Sequence, residues 1–277
     1  MPEPLPALDA LARRHETPCG EGRMVWREWG AGPVLVLVHG GTGSWRHWAA
    51  NIAHFAATHR VLAPDLPALG ESAEPDEPST PASLGAITAA GIDAILGAGA
   101  EYDLCGFSFG ATICSQVAVL HGARVRTLTI VGPGALGLDR PAIQLEKVRS
   151  RTGAARVEAN RVNLGLFMLA RAERINDEAL AIQDWNTVHA RYKSRGFAHT
   201  PALRDAVAIL PAKLNAIWGD KDVTAFPTLE ARIAVLRAAR PDVDLEIIAG
   251  AGHWAAYDAP DEFHALLRAM MARPAPG

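Results

Sequence analysis

In Gly106-Phe107-Ser108-Phe109-Gly110 a serine stands between two glycines, directly after an apolar run. A serine hydroxyl is too weakly acidic to attack a carbonyl unaided at neutral pH. It needs an imidazole to take its proton and a carboxylate to hold that imidazole in the right tautomer. Candidates for both stand downstream in short glycine-bearing stretches, Gly219-Asp220-Lys221-Asp222 and Ala249-Gly250-Ala251-Gly252-His253-Trp254. Upstream, His39-Gly40-Gly41-Thr42-Gly43 supplies backbone that can come close to a substrate. The oxyanion formed in such an attack would meet the N–H of Gly41 and that of Phe109, the first residue of a helix.

Five-residue patterns of this kind arise by chance, so the flanking elements decide how much weight the serine carries. Asp103-Leu104-Cys105 can end a buried strand, and Ala111 to Leu120 reads as a helix with small residues toward the turn. That is the strand-to-helix junction at which a tight turn lifts a hydroxyl clear of a sheet. Leu5 to Arg14 is a short amphipathic opening, and His15–Cys19 and Met24–Trp29 form a predicted hairpin through Gly20-Glu21-Gly22. Pro33–Val38 and Arg60–Asp65 are apolar runs without alternation, as expected of strands buried on both faces. Trp45 to His59 looks helical, and a Pro-, Ser- and Glu-rich stretch (Glu74 to Ser83) precedes a helix running to Leu96. The strand Thr127–Val131 follows.

From about Arg140 to Pro211 only helical periodicity is visible. Strands resume at Lys213–Trp218 and Val243–Ile248, with helices near Thr228–Arg240 and Asp261–Ala272 before a Pro-rich end. The pattern is α/β: a mostly parallel sheet with helices on both faces and an inserted helical lid. The core is expected over residues 1–137 and 206–277, and the lid over 138–205. Loops at the carboxyl ends of neighbouring parallel strands share one rim, so Ser108, His253, the aspartates and His39–Thr42 can converge there.

With 49% hydrophobic and 21% charged residues over 277 positions, the chain can bury a large core and is not disordered. A formal net charge of −3 gives no electrostatic reason to expect nucleic acid or an anionic membrane as partner. The expected partner is a small molecule, uncharged or weakly acidic; a homodimer is left open. Cys19, Cys105 and Cys114 are an odd number without metal-type spacing, which points to reduced thiols. The start, Met-Pro-Glu-Pro-Leu-Pro, lacks the basic and apolar regions of a signal peptide, and no apolar stretch reaches membrane-spanning length. A cytoplasmic location is expected, and no metal site is.

Together His39-Gly40-Gly41, Asp65-Leu66-Pro67 with Gly70 and Ser72, the serine turn, Gly219-x-x-Asp222 and Gly252-His253-Trp254 resemble the α/β-hydrolase superfamily over nearly the whole chain. The resemblance implies Ser108 as nucleophile, Asp222 as acid with Asp220 as the alternative, His253 as base, Gly41 and Phe109 as oxyanion hole, and no cofactor. Phe107, Trp45 and Trp254 could wall an apolar pocket or simply be core. At helical spacing Trp185, Val188, His189 and Tyr192 share a lid face, which either packs on the core or meets substrate; an inward Arg191 would favour an acidic or carbonyl-rich substrate. His39 is expected to bridge loops, and His47 and His264 to be solvated or core residues.

These readings imply a serine hydrolase of small, largely apolar esters or related acyl compounds, working through an acyl-enzyme. Gly132-Pro133-Gly134 and the run after His253 are also similar to hydrolases that cleave carbon–carbon bonds in aromatic ring-fission products, although Phe107 stands where those have asparagine. A non-catalytic ligand receptor on the same fold is the remaining alternative.

Overall fold

The computed structural model describes residues 4–76, 79–192 and 194–273. The Pro-rich carboxyl end at 274–277, the first three residues, and 77–78 of the Pro-, Ser- and Glu-rich stretch lie outside the described residues. Eight strands form one sheet: β1 (Arg13–Cys19), β2 (Gly22–Trp29), β3 (Val34–Val38), β4 (Arg60–Pro64), β5 (Tyr102–Phe107), β6 (Val125–Val131), β7 (Lys213–Gly219) and β8 (Asp244–Ile248). Their order across the sheet is β1-β2-β4-β3-β5-β6-β7-β8. β2 runs antiparallel to both its neighbours, and the other pairs are parallel. The amphipathic opening is shorter than expected: the helix covers Pro6–Ala10, and Arg13 and Arg14 already pair with β2.

The absence of alternation in β3 follows from its position. Side chains alternate across a strand, and Val36 and Val38 enter one core cluster with Trp26, Leu104 and Leu128, while Leu35 and Leu37 enter the other with Trp48, Phe55 and Phe107. Both faces are therefore covered, and both need apolar residues. The Trp45–His59 segment is a 3₁₀ turn, Trp45–Trp48, leading into the helix Ala49–Ala56.

β3 lies between β4 and β5, so the chain leaves it toward one side and later returns on the other. Such a switch in strand order opens a crevice at the carboxyl ends of the strands. Between β6 and β7 the described residues hold helices and no strand, chiefly Gly153–Asn163, Asp177–His189 and Ala202–Val207. Among the described residues no helix is long and apolar enough to cross a membrane.

Candidate active site

Ser108 is the hinge between β5 and the helix Phe109–His121, with φ 52° and ψ −114°. A non-glycine residue held there is strained, and the neighbours show what enforces it. A Cβ on Gly106 would lie 2.6 Å from the Gly110 carbonyl oxygen and 2.7 Å from Ala111 N; one on Gly110 would lie 2.4 Å from the His39 carbonyl oxygen. The turn therefore presses its own backbone against β3 and the start of the helix. Phe109 supplies a first-turn N–H that the helix itself leaves unused.

His253, in the loop after β8, places Nε2 3.0 Å from Ser108 Oγ, and its Nδ1 lies 2.9 Å from Asp222 Oδ2. The other oxygen of Asp222 accepts the N–H of Thr224 at 2.8 Å and its hydroxyl at 2.7 Å. With Asp222 accepting from Nδ1–H, Nε2 is left as the acceptor that faces the serine hydroxyl. Burial works to raise the Asp222 pKa, but the facing His253 and both Thr224 hydrogen bonds outweigh it and hold the carboxyl below its ordinary value. Asp220 points elsewhere: its Oδ1 accepts from Gly250 N–H at 2.6 Å, and its Oδ2 pairs with Lys221 at the surface.

Gly41, Thr42, Ser108, Phe109 and His253 line a cavity of about 540 Å³, a size suited to a small organic ligand. Its walls mix apolar side chains, Phe167, Met168 and Phe197 among them, with Arg140, Gln183 and Arg232. The helical segment between β6 and β7 supplies much of this lining, Phe167 and Gln183 included. Among the described residues no cluster of His, Cys, Asp or Glu is arranged to hold a metal ion.

Five residues expected against the substrate are not among those lining the cavity. Trp45 and Trp254 are fully buried; Trp45 packs on Trp29 at 5.3 Å, and Trp254 donates from Nε1 to the His47 carbonyl and stacks on Tyr257. Phe107 lies beneath the site, its ring 5.0 Å from that of His253. Trp185 has the Arg46 guanidinium 3.5 Å from its ring centroid and the His189 ring stacked at 3.8 Å. Arg191 does not point inward: its guanidinium bonds the Ser72 carbonyl and its N–H the Ala68 carbonyl, tying the helical segment to the loop after β4. In each case the side chain is engaged by a core or clasping contact within the protein.

His39 bridges two loops, accepting the Leu66 N–H on Nε2 at 2.8 Å and donating from Nδ1 to the Gly40 carbonyl at 2.7 Å. Among the cavity-lining residues that the sequence did not single out are Thr224 and Arg232, and His47, expected to be a solvated or core residue, is buried and lines the cavity as well. His47 takes the Gly40 N–H on Nδ1 at 3.2 Å, which leaves its proton on Nε2. Arg232 had a visible signal. It interrupts the stripe Leu229, Ile233, Leu236 of the helix Leu229–Ala239, where an apolar residue belongs.

Over 273 residues the chain is 27% identical to the dihydrolipoyllysine-residue acetyltransferase component of the acetoin cleaving system of Pseudomonas putida, covering 91% of this chain and 68% of that protein. It is 26% identical over 259 residues to the 2-hydroxymuconate semialdehyde hydrolase of Pseudomonas sp. strain CF600, covering 88% of each. The solved carboxylesterase CesB (YbfK) of Bacillus subtilis shares the fold, with a TM-score of 0.77 at 16% identity over 97% of this chain and 94% of that one. The sequence model of the alpha/beta hydrolase family matches residues 35–266, and the chain belongs to that family.

Proposed function

We propose that this hydrolase cleaves a small, largely apolar ester or related acyl compound through an acyl-enzyme on Ser108. The observation that carries the reading is the continuous chain from Ser108 Oγ through His253 to Asp222, with separations of 3.0 and 2.9 Å, opening on the cavity. His253 Nε2 takes the serine proton as Oγ bonds the substrate carbonyl carbon. The oxyanion is met by the N–H groups of Gly41 and Phe109. The proton then passes to the leaving alcohol as the ester bond breaks, and water repeats the sequence to release the acid. Asp222 holds the imidazole and stabilises its charged form, and residues 138–205 act as a helical lid over the site. This chemistry needs only a small-molecule substrate and water, without a cofactor.

Incubation with a fluorophosphonate, read by peptide mass spectrometry, is expected to label Ser108. Ser108→Ala and His253→Ala are expected to lower kcat/KM for 4-nitrophenyl esters about 10⁴-fold or more while the far-ultraviolet circular dichroism stays unchanged. A protein that takes no label on Ser108 is not a serine hydrolase.

The similarity to a 2-hydroxymuconate semialdehyde hydrolase favours one second reading, hydrolysis of a carbon–carbon bond in a ring-fission product. Turnover of such a dienoate far above that of any nitrophenyl ester selects it.

A further inference from the structure

Arg232 is 2% exposed, yet among the described residues its side chain makes a single hydrogen bond, from Nη2 to the Asp139 carbonyl at 3.1 Å. Its Nε is buried without an acceptor, and it makes no ion pair with a carboxylate among those residues. A guanidinium carries five N–H donors and keeps its charge at any ordinary pH. Buried charges are as a rule paired, because one neutral carbonyl does not replace the water lost.

Two acidic groups come into question as partners, and both are otherwise engaged. Asp222 is near enough to favour the charge of Arg232, but its oxygens are taken by His253 and Thr224. Glu146 lines the same cavity and pairs with Arg151. The surroundings otherwise disfavour the cation: burial lowers the Arg232 pKa, Asp222 raises it, and the like charge of Arg140, another cavity residue, lowers it again. A negative group brought in beside Arg232 would correct this imbalance, and the cavity it lines is the one that opens on Ser108.

We propose that Arg232 anchors a carboxylate carried by the substrate, so that the compounds this site prefers are acyl substrates with a free carboxylate remote from the bond that is cleaved. This rests on the hydrolase reading above. The fork of the guanidinium holds one end of the substrate, the apolar wall of Phe167 and Met168 covers its middle, and Ser108 faces the scissile carbonyl. Arg232 then does for specificity what Arg191, turned away toward the loop after β4, does not do.

The test compares mono(4-nitrophenyl) adipate and suberate with 4-nitrophenyl hexanoate and octanoate, which match them in chain length but carry no charge. The unaltered protein is expected to prefer the charged esters tenfold or more in kcat/KM. Arg232→Gln is expected to reduce that preference at least tenfold, mainly through KM, and Arg232→Lys to retain more of it. In parallel, adipate titrated into Ser108→Ala in a calorimeter is expected to bind, and binding is expected to be lost when Arg232→Gln is added. No preference in the unaltered protein together with no adipate binding overturns the proposal. A preference that Arg232→Gln keeps overturns it as well, and if Arg232→Gln does not fold, Arg232→Met, which keeps the apolar stem and removes the charge, takes its place in both measurements. Adipate binding that depends on Arg232, in a protein that takes no fluorophosphonate, upholds the anchor and sinks the hydrolase reading instead; ester turnover without charge preference does the reverse.

Discussion

Asp222 divides its two oxygens between tasks: Oδ2 faces His253 Nδ1, and Oδ1 collects the N–H and hydroxyl of Thr224. Each of these contacts favours the ionised form, which is what keeps a fully buried carboxylate charged at neutral pH. Asp220 has a different assignment, fastening the loop after β8 through Gly250 N–H. Asp222→Asn is therefore expected to lower kcat by about 10³- to 10⁴-fold, by presenting His253 with a donor and the wrong tautomer. Asp220→Asn is expected to cost under tenfold. Thr224→Val, which removes a hydroxyl bond worth about 1 kcal/mol, is expected to cost roughly tenfold in kcat. Steady-state assays on one ester separate the three, and a larger loss at position 220 than at 222 would reverse the assignment. In sequence the two aspartates are only two residues apart and differ by nothing chemical. The difference appears when β7 ends and its loop turns, and the hydroxyl of Thr224 has no signature before that turn exists.

Among the elements, the junction of β5 with its helix is the most constrained. The Cβ of an alanine at 106 would meet the Gly110 carbonyl at 2.6 Å and the Ala111 backbone at 2.7 Å, atoms of the same turn that cannot swing aside as a side chain can. Gly106→Ala is expected to destabilise the protein by about 2–3 kcal/mol, the upper range for forcing an atom into a packed interior, and to shift Ser108 off its hydrogen bond to His253. Urea denaturation reads the first effect, and the rate of fluorophosphonate labelling reads the second; unchanged values for both would show that the turn is looser than its distances imply. This junction was legible beforehand because glycine on both sides of a serine, after an apolar run, leaves few other folds. The interior position of strands such as β3 was legible for a similar reason, since unbroken runs such as Leu35-Val36-Leu37 need cover on both faces, whereas the order of the strands across the sheet was not. Which aromatic side chains reach the cavity was not legible. Trp45, Trp185 and Trp254 sit on short turns or inserted helices whose facing surface is decided by partners distant in sequence, Trp29 for Trp45, Arg46 for Trp185 and the His47 carbonyl for Trp254. Apolar character says that a side chain is covered, not whether protein or substrate covers it.

At the scale of the whole molecule, three histidines are folded into the core in their neutral form, and this sets the response to acid. Burial lowers the pKa of His39 despite the opposing pull of Asp65 and a bond to the Gly40 carbonyl. Burial lowers that of His47 well below its ordinary value, with the neighbouring His39 and His253 adding to the effect. His264 is brought down to about 4, first by burial and then by the His54 ring stacked on it at 3.9 Å. Its Nε2 also accepts from Asn51 at 3.1 Å, and a proton there would set two donors face to face. Arg268 adds to the depression, and Asp261 opposes it. A histidine depressed in the folded state binds protons more readily when unfolded. Its contribution to stability is complete above the unfolded pKa of about 6.5 and is lost as pH falls toward the folded value. For His264 the window runs from about 6.5 down to about 4, and at most about 3 kcal/mol is involved, a substantial part of the 5–15 kcal/mol typical of a domain. The depressed carboxylates Asp222, Glu28 and Glu71 act in the same direction but only at lower pH, where they begin to protonate. The urea midpoint is therefore expected to fall steadily below pH 6.5, before carboxylate protonation begins. In His264→Phe, which keeps the stacked volume and removes the titrating group, the fall between pH 6.5 and 4 is expected to be shallower than in the unaltered protein. Parallel profiles would mean that His264 is already charged when folded, and that the buried ring contacts around Asn51 and His54 are not what makes this fold sensitive to acid.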